Sequence, residues 1–411
     1  MTVILITTSS VYASETGFNF GSSQLNLMLA IAQAYDSNVY CGNNPLGDLV
    51  LHIAPSIKFS LEKEKVAFLI GGTLDVVRYY GITNGTLNGV PYNTKQLSTI
   101  YGNASTVLNY NPSKRFGLMF RNDFYRTADP RDDVFGTFAR VDNTTGIGFE
   151  FSPSESAFKI NLNYLFNFDI FDASTGLSDA DYYSNMPSFI LKWYFIPKTA
   201  LVFDINANIL RYPNQWNYPD QASGRFSNYN LVNFNIGISG VISPKLSVIF
   251  MIGYGNAFIQ QNSTPDQTIN QQGNDQTVLA DVVVNYKMNE NVGLDAGYKR
   301  AIYPGSFFAF FNSNLFFINY RQKFIKKLSI SLGPSVDLQY YGKPIFSGTN
   351  ISESRSDIYG MFNIIAKYDI LKWLDIALTN NFYIRSTNFK DATGNAGYIR
   401  NITSILIDFH Y

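Results

Sequence analysis

The chain of 411 residues has few of the side chains on which catalysis and metal binding usually depend. It contains two histidines, His52 and His410, and one cysteine, Cys41, which is too few for a metal cluster or an internal disulfide. Two dispersed histidines also make a serine–histidine–acid triad unfavourable. No glycine-rich phosphate loop precedes a helix. We therefore predict no enzymatic activity, no metal and no cofactor.

Charge and long apolar runs are scarce as well. Charged residues make up 15% of the chain, whereas a soluble domain carries about a quarter. The 31 basic and 31 acidic residues cancel, so nucleic acid is not an expected partner, because phosphate binding needs a basic surplus. No segment reaches the ~18 consecutive apolar residues that a spanning helix requires. What the chain has in abundance is aromatic residues, with 28 Tyr and 34 Phe.

Alternation of apolar and polar residues is the dominant pattern. In residues 158–170, Phe158, Ile160 and Leu162 begin an apolar series that is interleaved with Lys159 and Asn161. Period two places these two series on opposite faces of a strand. Similar alternation occurs at 201–209, 278–287 and 328–341. Segments of about 10 to 15 residues exceed the usual soluble strand and reach the ~9 to 11 residues of a tilted membrane strand.

Tight turns alternate with long polar loops along the chain. The turns centre near Lys63, Pro112, Pro153, Pro197, Pro244, Asn289, Lys326 and Leu371. The loops cover 81–95, 126–137, 171–185, 211–228, 257–275 and 342–355. Eight turns separate nine hairpins, which predicts an all-β, closed antiparallel transmembrane barrel of about eighteen strands, with sixteen or twenty as alternatives. Short periplasmic turns and longer external loops are typical of such barrels.

Both ends of the chain carry targeting features. Residues 1–13 are interpreted as a residual signal peptide, because Val11-Tyr12-Ala13 resembles a signal-peptidase site; a disordered tail is the alternative. Residues 14–411 then form a single barrel domain in the bacterial outer membrane. In the last strand Ile405, Ile407, Phe409 and Tyr411 share one face. This apolar face ending on an aromatic predicts a signal for the barrel-assembly machinery.

The polar faces of the strands are assigned to the lumen. A Lys or Arg on the lipid face at mid-bilayer costs about 2–4 kcal/mol, so charges on these strands are expected to point inward. Acidic and basic residues are nearly balanced there, which favours either ion pairs that brace the wall or a weakly selective pore. The predicted lumen-lining residues are Arg121, Asp123, Lys159, Asp169, Lys192, Asp204, Asp281, Lys287, Asp295, Lys299, Arg321, Asp337 and Lys367.

The order of several short motifs resembles a known family. These are Tyr35-Asp36-Ser37-Asn38-Val39-Tyr40, Leu51-His52-Ile53-Ala54-Pro55-Ser56-Ile57, Arg78-Tyr79-Tyr80, Thr127-Ala128-Asp129-Pro130-Arg131, and the turns Ile196-Pro197-Lys198-Thr199 and Ile242-Ser243-Pro244-Lys245. In this order they resemble the β-barrel porin 2 family. That family includes outer-membrane barrels encoded with exopolysaccharide and capsule export systems. The resemblance implies a passage for polysaccharide that acts with a periplasmic export protein.

Three hypotheses of function remain open at this point. The first is a conduit for exopolysaccharide or capsule export, as the resemblance implies. The second is a general or solute-specific diffusion porin. The third is a structural or adhesive outer-membrane barrel whose loops bind a surface partner. In all three the expected partners include outer-membrane lipid and the assembly machinery. Polysaccharide and a periplasmic export protein are expected only in the first.

Overall fold

The protein is a barrel of eighteen antiparallel strands. The computed structural model describes residues 17–87, 90–128, 139–153, 157–173, 178–214, 228–259, 274–304, 310–325, 327–342, 355–388, 390–391, 394–395 and 397–411. The barrel strands are β1 Ser23–Asp36, β2 Asp48–Lys63, β3 Val66–Tyr79, β4 Thr99–Ser113, β5 Phe116–Thr127, β6 Arg140–Phe151, β7 Phe158–Phe171, β8 Tyr182–Ile196, β9 Thr199–Arg211, β10 Tyr229–Ser243, β11 Leu246–Ile259, β12 Asn274–Asn289, β13 Val292–Pro304, β14 Phe310–Ile325, β15 Leu328–Tyr341, β16 Ser356–Leu371, β17 Leu374–Thr387 and β18 Tyr398–His410. The predicted signal-peptide remnant, 1–13, lies outside the described residues.

The barrel closes by pairing its first strand with its last. Each strand pairs antiparallel with its successor, and β1 also pairs with β18 from Met28 opposite His410 to Asp36 opposite Ile402. A closed ladder leaves no unpaired sheet edge, which is what a bilayer demands, because lipid cannot hydrogen-bond to backbone groups. No helix among the described residues is long and apolar enough to cross a membrane. The prediction of a closed eighteen-stranded barrel is confirmed.

Short turns join the strands at one end, and those that the structure describes, at 64–65, 114–115, 197–198, 244–245, 290–291 and 372–373, lie within three residues of the predicted centres. Pro197 and Pro244 lie in two of these turns, where a residue without a backbone donor is tolerated. The register shifts next to several turns, for example between Tyr194 and Ile196 and between Val241 and Ser243. Such bulges add local twist and help a curved sheet to turn sharply.

The strand boundaries differ from the predicted ones at the loop end. Strand β8 begins at Tyr182, inside the predicted loop 171–185, because its backbone continues the ladder with β7 up to Asp169. Ser and Asn residues there suggested a loop, but cross-strand pairing outweighs their local preference. Strand β4 starts at Thr99, after a short 3-10 helix, Thr94–Leu97, whose start is capped by Asn93. Unpredicted small hairpins also occur, at Asn84–Leu87 with Val90–Asn93 and at Lys390–Asp391 with Gly394–Asn395.

The two faces of the sheet differ in polarity around the whole barrel. Directly opposed residues in an antiparallel pair lie on the same face, so the register divides every strand into two sets. One set contains the exposed Phe158, Leu162 and Phe203, together with Ile160 and Val282. The other set holds most of the charged side chains, although a few polar residues, such as Arg300 and Asn314, fall in the outward set. An apolar outer band around a polar interior is the architecture of bacterial outer-membrane proteins, and the protein is accordingly placed in that membrane.

The C-terminal residues complete the closure of the barrel. Tyr411 exchanges two backbone hydrogen bonds of 2.8 Å with Leu27 of β1. Its ring packs at 4.9 Å, centroid to centroid, on Phe18, which belongs to a short strand, Phe18–Phe20, that also pairs with β1. Phe409 stacks on Trp373 at 6.4 Å. The last residues of the chain thus hold the seam between first and last strands.

We therefore expect removal of Phe409 to Tyr411 to impair membrane insertion, because the seam loses backbone pairs on both neighbouring strands. The Tyr411→Ser variant should show a weaker form of the same defect. The fraction of heat-modifiable protein in isolated outer membranes measures insertion on gels. Tyr340→Ser, which removes an exposed tyrosine from β15, is the matched control and should insert normally. Normal insertion of the truncated chain would contradict a role for these residues in assembly.

Candidate functional site in the barrel lumen

Ion pairs within the wall characterise the lumen near the short turns. Lys159 Nζ lies 2.8 Å from Glu150 Oε1, and Arg321 lies 2.5 Å from Asp295 Oδ2. A third pair joins Lys367 Nζ to an Asp375 carboxylate oxygen at 2.6 Å. The two partners of each pair lie on neighbouring strands, so their opposite charges cancel locally.

The other predicted lumen residues have more varied surroundings. Arg121 Nε donates to Asp123, and Arg140 Nε lies 3.2 Å from the nearly inaccessible Asp169. Asp337 accepts hydrogen bonds from Ser313 at 2.6 Å and from Gln339 at 2.8 Å. The remaining residues are placed by register, with Asp281 opposite Lys299, Lys192 opposite Lys159, and Lys287 opposite Gly293. That these residues line a conducting path stays a prediction.

Amide side chains dominate one wall at mid-height, on β7 to β10. Asp204 accepts hydrogen bonds from Asn206 Nδ2 at 3.1 Å and Asn235 Nδ2 at 3.4 Å. Asn233 Nδ2 donates to Asn206 Oδ1 at 3.0 Å, and Asn163 Nδ2 donates to Ser188 Oγ at 3.3 Å. This group, Asp204 with Asn206, Asn208, Asn233 and Asn235, is called the amide wall below.

Glycines on adjacent strands leave space for these amide side chains. Gly253 and Gly255 of β11 lie opposite Asn235 and Asn233, and a Cβ at either glycine would overlap the amide oxygen. Gly148 stands in the same relation to Asn163. Glycine in a strand often marks close approach of another group. The amides therefore lie against the wall over these glycines, which leaves space in the lumen.

A buried ion pair holds a loop against the inner wall at the end opposite the short turns. Arg400 Nη2 lies 2.6 Å from Asp36 Oδ2, and its Nη1 lies 3.3 Å from Cys41 Sγ. Asn38, fully buried, donates to the Ile399 carbonyl at 3.0 Å. Cys41 has a φ of 53°, a left-handed conformation that is uncommon outside glycine. Together these contacts fix residues 37–47 on β18.

A second charged network lies beside the first. Asp357 binds Arg355 through two hydrogen bonds, of 3.0 and 2.6 Å, and Arg385 Nη2 at 2.7 Å. Thr387 donates a further hydrogen bond to the same carboxylate. The guanidinium of Arg355 stacks over Tyr341, 4.0 Å from the ring centroid, a favourable cation–π geometry. These charges brace the loop end of β15 to β17.

Aromatic and aliphatic side chains replace amides at this loop end. On one side Ala34, Val50, Val77, Tyr383 and Ile402 form a buried cluster, against which further tyrosines pack. On another wall Phe171, Leu210, Leu231, Ala257 and Leu279 form a second cluster, which includes Ala180 from a short 3-10 helix, Ser178–Ala180. Segments 37–47 and 178–181 thus lie against the inner wall and narrow the lumen at its outer end.

Both histidines lie close to carboxylates. His52 Nδ1 lies 2.9 Å from Asp75 Oδ2. His410 approaches Asp375 and Asp408, and one ligand atom from each of the three lies within 4.8 Å of the others. Lys367 Nζ, however, already places a positive charge 2.6 Å from Asp375. The geometry at Asp375 therefore favours an ion pair over a metal site.

Sequence reasoning missed the loop-end network. Arg385 and Arg400 have the same strand parity as Tyr383 and Ile402, so alternation alone assigns them to the inner face. The sequence pattern does not reveal that Asp36 and Asp357 would meet them, because those carboxylates arrive from other strands. The amides of the wall lie on the polar strand faces that were assigned to the lumen, but alternation alone does not show which of them meet.

The similarity of the chain to known proteins is limited to solved structures. No family model and no curated protein matches the chain. Among solved structures, it is similar to OccAB4 of Acinetobacter baumannii, with 10% identity over 95% of this chain and 98% of that chain and a TM-score of 0.48. It is also similar to the outer membrane protein OpdK of Pseudomonas aeruginosa, with 9% identity, 95% and 98% coverage and a TM-score of 0.47. For Pseudomonas aeruginosa OprD the values are 9%, 97%, 97% and 0.45.

A likeness at this level concerns the barrel alone and carries no argument about the transported solute. The association with polysaccharide export, implied by the family resemblance, is not supported by these comparisons and stays a prediction.

We expect Arg400→Ala to lower the free energy of unfolding by about 3–5 kcal/mol, because it leaves the buried Asp36 carboxylate without its partner. Arg321→Ala is the matched control, since the Arg321 side chain is 62% exposed and such pairs contribute about 0–1 kcal/mol. Urea unfolding of detergent-refolded protein measures both values. Equal losses in the two variants would contradict a structural role for the buried pair.

Proposed function

We propose that the protein is a passive diffusion channel for small polar solutes across the outer membrane. The observation that carries the proposal is the local pairing of lumen charges, as in Lys159 with Glu150 and Lys367 with Asp375. Where the charges of the wall are paired in this way, they produce little net field along the lumen. A barrel of eighteen strands is also wide enough for an aqueous channel. Polar solutes then cross without a strong electrostatic barrier.

The amide wall supports the same function. Amide groups both donate and accept hydrogen bonds, so they can replace part of a polar solute's hydration as it passes. The narrowed outer end, with segments 37–47 and 178–181 against the inner wall, would limit the size of solutes. Reconstitution in liposomes tests the proposal directly. Swelling in isosmotic arabinose but not in a large dextran is expected, whereas no swelling in any small solute would overturn it.

Polysaccharide export remains the second candidate. Its support in the molecule is the group of inner tyrosines at the loop end, Tyr79, Tyr101, Tyr359, Tyr383 and Tyr398, because aromatic rings offer flat apolar surfaces to sugar rings. Deletion of the gene with staining of surface polysaccharide separates the candidates. Loss of surface polymer would favour export, and unchanged polymer with reduced uptake of small solutes would favour diffusion.

The charge-pairing argument makes a sharper prediction for Glu150→Gln. Lys159 loses its partner and faces Lys192 across β7 and β8, so two lysines stand without a compensating charge. The wild-type channel should show a reversal potential near zero in a potassium chloride gradient. The variant should shift toward anion selectivity, by about twofold in the permeability ratio, because selectivity follows local charge.

The double variant Glu150→Gln/Lys159→Gln is the control, since it removes one charge of each sign and should restore the wild-type reversal potential. A wild-type channel that is already strongly selective would contradict the pairing argument, even if the channel conducts.

A further inference from the structure

The amide wall has a direction that its carboxylate fixes. A carboxylate only accepts hydrogen bonds, so Asn206 and Asn235 must present their Nδ2 atoms to Asp204 Oδ2, at 3.1 and 3.4 Å. Asn206 then has its Oδ1 free to accept from Asn233 Nδ2, at 3.0 Å. The hydrogen bonds therefore run from β10 to β9 and end on Asp204. Asn206, Asn233 and Asn235 each donate one hydrogen bond within the wall.

The network leaves three side-chain oxygens without a hydrogen-bond donor among the described residues. These are Asp204 Oδ1, Asn208 Oδ1 and Asn233 Oδ1, all of them buried in the wall. A buried acceptor without a donor is unfavourable by about 1–3 kcal/mol, so the wall favours a group that donates. A solute that only accepts, such as a carboxylate, cannot satisfy these oxygens and is repelled by the negative charge of Asp204.

The charge of Asp204 determines which kind of hydrogen-bond donor on a solute binds best. Among the described residues, no cationic nitrogen lies within 4.0 Å of Asp204, unlike Glu150, Asp295 and Asp375, which each have one. Lys192 lies opposite Val202, two residue pairs nearer the short turns than Asp204, and is not within that distance either. Asp204 is therefore a carboxylate in the lumen with no counter-charge from the described wall. A cationic donor gains more from it than a neutral hydroxyl, because hydrogen bonds between charged groups are about twice as strong.

Access to these acceptors requires only small movements. The side chains of Asp204, Asn208 and Asn233 are partly exposed on the inner face, although the unpartnered oxygens themselves are covered. The terminal torsions of Asp and Asn have broad minima, so a modest rotation turns these oxygens toward the lumen. Gly253 and Gly255 behind the amides leave the wall without bulky side chains at that point.

We propose that the amide wall is a binding site for solutes that carry a protonated primary amine, with Asp204 as the counter-charge and Asn208 and Asn233 as further acceptors. This rests on the proposed channel function, within which it names the solute class that the lumen retains longest. Neutral hydroxylated solutes bind the same wall more weakly, and anionic solutes are disfavoured.

The test compares three probes of similar size and ring shape: glucosamine, glucose and glucuronate. Isothermal titration on detergent-refolded protein measures binding whether or not the channel conducts. We expect glucosamine to bind about tenfold more tightly than glucose, the gain of one charge-assisted hydrogen bond, and glucuronate more weakly than either. In Asp204→Asn the preference for glucosamine over glucose should disappear.

Asp337→Asn is the matched control. It removes a lumen carboxylate whose two oxygens already accept from Ser313 and Gln339, so the preference for glucosamine should persist. Equal binding of glucosamine and glucose in the wild type, or a preference that survives in Asp204→Asn, would overturn the proposal.

Liposome swelling on the same preparations distinguishes the two levels of inference. Swelling without an amine preference in titration leaves the channel and removes the site. An Asp204-dependent amine preference without swelling keeps the site and removes the channel.

Discussion

Closure of the hydrogen-bonded ladder between β1 and β18 is the constraint on which the rest of the molecule depends. A bilayer offers no hydrogen bonds to the backbone, so every strand needs a partner on both sides. The pairs from Met28 opposite His410 to Asp36 opposite Ile402 supply the last of these partners. Once the sheet is closed, the period of two in the backbone assigns each side chain either to lipid or to the lumen. A shift of one residue would move all charges of a strand into lipid.

The polar side chains that face the lumen are accommodated in two ways. Near the short turns, charges are neutralised within the wall, as in Lys159 with Glu150, so that they cost little and create little field. At mid-height, amides surround the single carboxylate of Asp204 on β9 and β10, and some of them lie over glycines of the next strand, as Asn235 does over Gly253. The first arrangement gives the proposed channel its low selectivity. The second gives it a wall that can exchange hydrogen bonds with a solute.

Different interactions stabilise the loop end of the barrel. There the wall carries buried ion pairs, such as Asp36 with Arg400, and clusters of aromatic and aliphatic residues. Buried pairs of this kind are costly to break, because either partner alone would be an uncompensated charge. They fix segment 37–47 in one position against the wall. A closely packed outer end and a polar middle together suit a channel that admits solutes by size before it discriminates among them by hydrogen bonding.

The sequence by itself determined the architecture. Alternation over segments such as 158–170, interrupted by turns such as those at Pro197 and Pro244, predicted the faces, the approximate turn positions and about eighteen strands, with sixteen or twenty left open. It did so because a strand has a fixed period and a membrane has a fixed thickness. The predicted loop boundary was wrong at Tyr182, because pairing with β7 extends strand β8 into residues of loop-like composition. Tertiary structure alone decided which inward side chains meet. Asp36 lies 364 positions from Arg400 in sequence, and Asn233 reaches Asn206 only through register. Such contacts depend on strand tilt and closure, which bring distant residues to one height, and no local pattern in the chain encodes them.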